Sequence, residues 1–169
     1  MTSAGHKFHG PKGVGFTYIN NSTKIKSFIC GGPQERGLRA GTESVHNIVG
    51  MTKALEIADK NMEEETLYVR SIKKYMIENL SNLFPNIHFN GESGDMTNST
   101  YTVLNVCLPI SNDKAAMLDF QLDLKGIACS KGSACQSGSS EGSHVLSEIQ
   151  NDANKKFPSV RFSFSYNNN

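Results

Sequence analysis

A lysine in a glycine-rich stretch near the start of the chain is the residue best suited to covalent chemistry. Residues 3–15 read Ser-Ala-Gly-His-Lys-Phe-His-Gly-Pro-Lys-Gly-Val-Gly, with Lys7 near the centre. The glycines and the proline at positions 10, 11, 13 and 15 favour tight turns, which hold the amine in one place. Such a lysine can form an imine with an aldehyde such as pyridoxal phosphate. A surface lysine in a glycine-rich turn is the alternative that the spacing leaves open.

A single thiol, Cys135, lies in a second stretch with chemical potential. Residues 131–142 surround it with serine and glycine and contain no large apolar side chain, which predicts a flexible loop. Sulfur transfer needs a thiol on a flexible arm, because the same sulfur must meet a substrate inside a pocket and an acceptor outside it. An incidental exposed cysteine is the alternative. Cys30, Cys107 and Cys129 are predicted to be buried packing residues.

Two further positions could bind anions. Residues 31–42, Gly-Gly-Pro-Gln-Glu-Arg-Gly-Leu-Arg-Ala-Gly-Thr, end at Thr42, which we expect to cap a following helix. The N-terminus of a helix attracts phosphate groups. Near the end of the chain, Arg161 alternates with apolar residues in a predicted strand, so it projects from the polar face and can grip a carboxylate. An ordinary surface arginine is the alternative.

The elements that must position these residues follow from hydrophobic periodicity. Helices are predicted over roughly 43–61, 63–83 and 113–124, with a short one from His144 capped by Ser143. Strands are predicted over 14–19, 24–30, 87–89, 101–108, 127–130 and 159–165. Apolar faces on both long helices are expected to pack against a core. The fold class is therefore α/β, with helices packed on a mixed sheet.

Composition narrows the class of protein. The 37% hydrophobic and 20% charged content is that of a soluble globular protein. A net charge of +1 without a long basic block gives no reason to expect nucleic acid or a membrane surface as a partner. Without an apolar span or a signal-peptide core, a cytoplasmic location is expected. The four cysteines form no Cys-x-x-Cys pair, which argues against a metal site and against disulfides.

Three stretches in this order resemble the cysteine desulfurases. They are the Lys7 stretch at 3–15, the glycine-rich stretch at 31–42, and Lys-Gly-Ser-Ala-Cys-Gln-Ser-Gly-Ser-Ser-Glu-Gly-Ser-His-Val-Leu at 131–146. Cysteine desulfurases are pyridoxal-phosphate enzymes of the class V aminotransferase superfamily. The long serine- and glycine-rich segment after Cys135 is similar to the branch with the extended catalytic loop, which feeds iron-sulfur cluster assembly and related sulfur delivery.

The resemblance implies a role for each candidate residue. The catalytic residues would be Lys7, which carries the cofactor and moves the Cα proton, and Cys135, which takes sulfur from L-cysteine as a persulfide and leaves L-alanine. Arg161 would hold the substrate α-carboxylate. The implied cofactor-binding residues are Lys7, His6, Ala4, Gly5 and Thr42, with Thr42 reaching the cofactor phosphate of the neighbouring subunit. Ala4 departs from the family, which has serine or threonine there to donate to that phosphate.

The same resemblance implies an architecture and partners. We expect residues 1–45 to end the large cofactor-binding domain and residues 46–169 to form a small α/β domain, as in fold type I enzymes. The chain would be the C-terminal portion of a longer protein, truncated at both ends, and would show little turnover alone. A homodimer in the full-length form and a sulfur-acceptor or iron-sulfur scaffold protein would be its partners. The alternatives are a selenocysteine lyase or another class V aminotransferase, or a noncatalytic dimerisation module.

Overall fold

The structure is a computed structural model that describes residues 1–111, 115, 117–130 and 143–169. Its helices and strands are β1 (Thr2–Ala4), β2 (Gly15–Thr17), α1 (Val45–Leu83), β3 (His88–Phe89), β4 (Val103–Cys107), α2 (Leu118–Leu124), α3 (His144–Ile149) and β5 (Ser159–Ser163). The chain forms two compact units, Met1–Met62 and Glu63–Asn169. The proposed division into cofactor-binding and small domains at 45/46 stays a prediction, since compactness does not assign a domain its role.

The first unit begins with a short antiparallel hairpin. β1 pairs with β2, with Ala4 opposite Gly15. The predicted strand over 14–19 is confirmed in its central part, but the predicted strand over 24–30 is wrong. Only Ile29 pairs there, in an isolated bridge with Arg39. A strand needs a neighbour for its backbone N–H and C=O groups, and within 24–28 no such pairing forms.

Helix α1 is continuous over 39 residues, where the sequence analysis predicted two helices. Residues 61–63 are Asn-Met-Glu, without the glycine or proline that would interrupt the main-chain hydrogen bonds. The predicted packing of the first apolar face is wrong for Val45 and Val49, which are 63% and 62% exposed. The buried residues of α1 are Met51, Val69 and Lys73. No helix among the described residues combines the length and the apolar character needed to cross a bilayer.

The second unit is built on a three-stranded antiparallel sheet in the order β3-β4-β5. Leu104, Val106 and Val160 share one face of this sheet and are fully buried, so this face forms the core of the unit. Successive side chains of a strand point to opposite faces. The other face therefore carries the polar residues between them, including Asn105 and Arg161, which lie opposite each other.

Two shorter helices complete the second unit. α2 lies inside the predicted helix 113–124 and ends before Gly126, whose φ of 73° places it in the left-handed region. The predicted strand over 127–130 is wrong, because only Ser130 pairs, in an isolated bridge with Arg161. The predicted helix from His144 is confirmed as α3. Its predicted N-cap is confirmed too, since the Ser143 hydroxyl accepts a hydrogen bond from the Leu146 N–H at 3.4 Å.

Candidate functional site

The main chain around Lys7 is held by backbone hydrogen bonds. After β1 the chain makes a 3-10 turn over Gly5–Phe8. The Gly5 N–H donates to the Val14 carbonyl and the Gly10 N–H donates to the Gly5 carbonyl, each at 2.9 Å. Gly5 is buried, and a Cβ added there would lie 3.2 Å from Val14 and from the Pro11 carbonyl. The turn thus fixes the position from which the Lys7 side chain extends.

The Lys7 side chain itself is exposed, as is that of His6. In the part of the chain that the structure describes, the Lys7 amine makes no hydrogen bond or ion pair. The turn ends at His9, whose φ of 67° lies in the left-handed region. A fixed main chain with an unpaired, accessible amine fits a lysine that must bind an aldehyde covalently.

Ala4, the implied cofactor-binding position without a hydroxyl, is half-buried at the end of β1. Ser3 is its neighbour in the strand and pairs with Phe16. Because successive side chains of a strand point to opposite faces, the Ser3 hydroxyl does not take the place of the hydroxyl that Ala4 lacks. Phosphate binding at this point would have to use backbone N–H groups.

Thr42 is exposed and lies before α1 but does not cap it. The helix begins at Val45, three residues later, so the predicted N-cap role of Thr42 is wrong. Gly41, with a φ of 108°, turns the chain before Thr42, and the Gly41 N–H donates to Gln34 Oε1 at 3.2 Å. Thr42 is therefore a loop residue with an accessible hydroxyl.

Arg161 lies in the middle of β5 and is half-buried. Its N–H donates to the Ser130 carbonyl at 2.7 Å, and its carbonyl accepts from the Ser130 N–H at 3.0 Å. On the other side β5 pairs with β4, where Asn105 lies opposite Arg161. The main chain of Arg161 is thus held from both sides.

Cys135 lies outside the described residues, so its proposed role rests on the sequence. Of the other cysteines, Cys107 is buried as predicted, Cys129 is half-buried, and Cys30 is exposed, so the prediction of burial is wrong for Cys30. Burial raises the pKa of the Cys107 thiol, and a hydrogen bond with Ser159 acts in the opposite direction. Among the described residues, no group of three or more His, Cys, Asp or Glu side chains could hold a metal ion.

A buried lysine that the sequence analysis missed lies on α1. Lys73 is fully buried, and its Nζ donates to Ser99 Oγ at 2.7 Å and to the Thr100 carbonyl at 2.8 Å. Burial lowers the pKa of Lys73, the nearby Arg70 acts in the same direction, and Asp95 opposes them. A lysine on a predicted helix face gives no sequence signal of burial. We assign Lys73 a structural role, since it ties α1 to the loop before β4.

A second group that the sequence analysis missed is a cluster of amide and hydroxyl side chains on the polar face of the sheet, one of them buried and the others half-buried. We call it the amide cluster: Asn90, Asn105, Gln150 and Ser159. Asn90 is 4% exposed and bonds to the other three members. Its sequence context, Asn-Gly after a strand, indicates only a turn. The partners lie up to 69 residues away, so no local pattern could have found them.

Comparisons with known proteins agree with this architecture. The model of the family described as aminotransferase class-V matches residues 1–169. A cysteine desulfurase of Bradyrhizobium diazoefficiens is 39% identical over 168 residues, which are 98% of this chain and 40% of that protein. The cysteine desulfurase IscS of Dictyoglomus turgidum is 39% identical over 163 residues, 96% of this chain and 40% of that protein. The chain thus spans about 40% of the length of the curated relatives it matches.

A solved structure supports the same assignment. A NifS-like protein is 32% identical, with a TM-score of 0.76 over 99% of this chain and 41% of that one. The predicted α/β fold class and the predicted resemblance are therefore confirmed. Because the family model matches the chain from end to end, the chain belongs to the class V aminotransferase family.

Proposed function

We propose that this chain is part of a pyridoxal-phosphate-dependent cysteine desulfurase. Such an enzyme converts L-cysteine to L-alanine and leaves the sulfur as a persulfide on Cys135. The names of the relatives support this reaction. Because the chain spans about 40% of their length, the proposal concerns the whole enzyme to which these residues contribute.

The observation that carries the proposal is the geometry around Lys7. Two main-chain hydrogen bonds of 2.9 Å hold the turn, while the Lys7 side chain is exposed. Pyridoxal phosphate, when bound, supplies an aldehyde for the amine and a ring that accepts the electrons released at the substrate Cα. Lys7 would hold the cofactor and move the Cα proton. His6 would lie beside the ring, and Gly5 and Ala4 would face the cofactor through their main chain.

Arg161 and Thr42 would bind anionic groups. The Arg161 guanidinium would hold the α-carboxylate of L-cysteine through two parallel hydrogen bonds, which fixes the orientation of the substrate. The exposed Thr42 hydroxyl would bind the cofactor phosphate of the partner subunit in a homodimer. An exposed loop hydroxyl suits a contact made across a subunit interface.

Cys135 would act as a thiolate, because the neutral thiol is a poor nucleophile. It attacks the sulfur of the substrate, so the bond between that sulfur and Cβ breaks and a sulfur–sulfur bond forms on Cys135. Cβ keeps the electron pair and takes up a proton, which completes the methyl group of alanine. The step needs no external oxidant, since the sulfur is oxidised while the carbon is reduced.

The persulfide must then pass to an acceptor. The length of the serine- and glycine-rich segment after Cys135 supports the long-loop branch, so we infer a sulfur-acceptor or iron-sulfur scaffold protein as partner. A cytoplasmic location agrees with the need for reduced thiols.

A noncatalytic module is a second candidate, favoured by the poor core of the first unit. Of residues 1–62, all of them described, only Gly5, Ala40 and Met51 are buried. A unit with so few buried residues gains little from apolar burial and needs further protein around it. A module of this kind would associate with a complete subunit and would have no turnover of its own.

The first test of the proposed function is cofactor attachment. The purified chain is mixed with pyridoxal phosphate, its visible absorption is recorded, and borohydride reduction with peptide mass mapping locates the label. We expect label on Lys7 and its loss in Lys7→Ala, while Lys12→Ala, which removes an exposed amine nearby, keeps it. Label scattered over many lysines would contradict the assignment of Lys7.

The second test is turnover. Alanine release from L-cysteine should disappear in Cys135→Ser of an active preparation, whereas an aminotransferase reaction would not need this thiol. If the chain takes up no cofactor and makes no alanine, but co-purifies with a complete class V subunit, the noncatalytic candidate is correct.

A further inference from the structure

Both the nitrogen and the oxygen of the Asn90 side-chain amide make hydrogen bonds within the second unit. Its Nδ2 donates to Asn105 Oδ1 at 2.8 Å and to Ser159 Oγ at 2.9 Å. Its Oδ1 accepts from Gln150 Nε2 at 2.7 Å. Both hydrogens of the Asn90 amide nitrogen are therefore engaged. A buried amide with all these bonds has one orientation only, because any rotation would leave polar groups unpaired.

The two acceptors of Asn90 flank Arg161. Ser159 precedes Arg161 by two residues in β5, so both side chains lie on the same face of the sheet. Asn105 lies opposite Arg161 across the strand pair. The N–H and C=O of Arg161 both bond to Ser130, so the pair with Asn105 is one without mutual hydrogen bonds. In such pairs the Cα atoms are closest, about 4.5 Å apart, and the side chains are near neighbours.

Gln150 connects the cluster to α3. This residue ends the helix, and its Nε2 also donates to Ser159 Oγ at 3.0 Å. Ser93 adds main-chain support, since its hydroxyl donates to the Asn105 carbonyl at 2.9 Å. The neighbours of Arg161 are thus held by residues from two other segments of the chain, the loop after β3 and the end of α3.

We propose that Asn90 is a positioning residue for Arg161, acting through Asn105 and Ser159. This inference rests on the proposed function, in which Arg161 grips the substrate carboxylate. A free arginine side chain samples many rotamers, and ordering it costs free energy when a ligand binds. Two neighbours fixed by one buried amide restrict that freedom before the substrate arrives. Asn90 is buried and its amide bonds to members of the cluster, so the proposed role is one of placement and not of direct contact with the substrate.

The experiment measures the reactivity of each arginine towards phenylglyoxal, followed by peptide mass mapping. Arg70 is the internal reference, because it lies in the same unit and its guanidinium bonds to the Met96 carbonyl at 3.0 Å. In Asn90→Ala we expect the rate for Arg161 relative to Arg70 to rise roughly threefold, because the local restraint is lost. Gln150→Ala removes one branch of the cluster, and the ratio should rise by a smaller factor.

Asn79→Ala is the matched control. It removes an exposed asparagine whose Nδ2 donates to the Tyr75 carbonyl at 2.8 Å, and it should leave the ratio unchanged. An unchanged ratio in both cluster variants would overturn the proposal. An equal rise of both arginines would also overturn it, since that reports general loosening. Should Asn90→Ala fail to fold, Gln150→Ala decides alone.

Protection by a carboxylate ligand separates this inference from the proposed function. L-alanine carries the α-carboxylate of the substrate without the thiol, and it should slow the modification of Arg161 in the unchanged protein. Absence of protection together with a raised ratio in Asn90→Ala would count against the role of Arg161 in substrate binding. The same result would support the placement of its side chain by Asn90.

Discussion

The turn around Lys7 and the sheet face around Arg161 hold their key residues in opposite ways. Near Lys7 the bonds are made by the main chain, between residues at most nine positions apart, and the side chain is exposed. Near Arg161 the main chain pairs with Ser130 and with β4, and the adjacent Asn105 and Ser159 side chains bond to Asn90, which is 69 residues away from Ser159. The first arrangement depends on local backbone shape, and the second depends on the whole unit being folded. The two should therefore respond to different substitutions.

The largest effect is expected from a substitution that destabilises the sheet of the second unit and leaves the turn around Lys7 unchanged. Leu104→Ala empties a fully buried position of β4 and should lower the free energy of unfolding by about 2–5 kcal/mol. Leu67→Ala, at a residue 71% exposed, is the matched control and should change it by less than about 0.5 kcal/mol. Urea unfolding followed by circular dichroism measures both. Equal losses would mean that the buried face does not stabilise this unit.

The next largest effect is expected from a substitution that distorts the turn around Lys7 and leaves the sheet unchanged. A Cβ at Gly10 would lie 2.9 Å from the Gly5 carbonyl oxygen, so Gly10→Ala should force the turn open. Strain of about 1–3 kcal/mol is expected locally. Labelling of Lys7 by pyridoxal phosphate and borohydride should then fall about fivefold, with unfolding of the sheet unchanged.

Gly13→Asn is the control for this prediction. Among the described residues other than its two chain neighbours, no atom lies within 4 Å of a Cβ at Gly13, and asparagine tolerates its φ of 80°. Labelling of Lys7 should persist in this variant. Loss of labelling in both variants would show that any change in the loop disturbs the site.

A smaller effect is the pH dependence of the free energy of unfolding that the buried Lys73 causes. Because the pKa of Lys73 is lowered by burial, the unfolded chain binds more protons than the folded one between that lowered pKa and the ordinary value of 10.5. The contribution of Lys73 to the free energy of unfolding should therefore increase as pH rises across this window. Lys73→Met should remove it. Urea unfolding at a series of pH values measures the slope.

Lys74→Met is the control for the pH prediction, since its side chain is 66% exposed and pairs with Glu78. It should keep the slope of the unchanged protein. A slope unaffected by Lys73→Met would contradict the burial of the Lys73 amine.

Cys107 changes stability in the opposite direction. Its pKa is raised, so above the ordinary value of 9.0 the folded chain holds a proton that the unfolded chain releases. The stability that this thiol contributes therefore falls as pH rises above that value.

The smallest effect concerns α3, the helix that Gln150 ties to the sheet. Ser143→Ala removes the hydroxyl that accepts from the Leu146 N–H at 3.4 Å, and should weaken the helix by about 1 kcal/mol or less. Ser147→Ala should be neutral or slightly stabilising, since alanine favours helix. Hydrogen exchange of the α3 amides compares the two. Faster exchange in Ser147→Ala than in Ser143→Ala would contradict the cap.

Sequence reasoning succeeded where the structure is local. The turns around Lys7 follow from glycine and proline, and the Ser143 cap follows from one residue before a short apolar run. The alternation around Arg161 also indicated a strand. These features need only a few neighbouring residues, so the sequence contains their cause.

It failed where the outcome depends on distant partners. The strands predicted over 24–30 and 127–130 have suitable composition, but each finds only one pairing residue. Two predictions were wrong for local reasons: Thr42 has the right type for a cap, but the helix begins at Val45, and nothing at residues 61–63 interrupts it. Asn90 and Lys73 gave no signal, because their burial depends on residues that the fold brings together.

Buried Cys107 also matters for any chemistry that moves reactive sulfur between thiols. Its Sγ lies 3.5 Å from the Asn154 carbonyl, and its raised pKa keeps it protonated at neutral pH. Alkylating reagents and persulfides react with thiolates, so neither should react readily with Cys107. In the folded protein Cys107 should be unreactive, so thiol labelling at neutral pH can follow the other cysteines without substitution of Cys107.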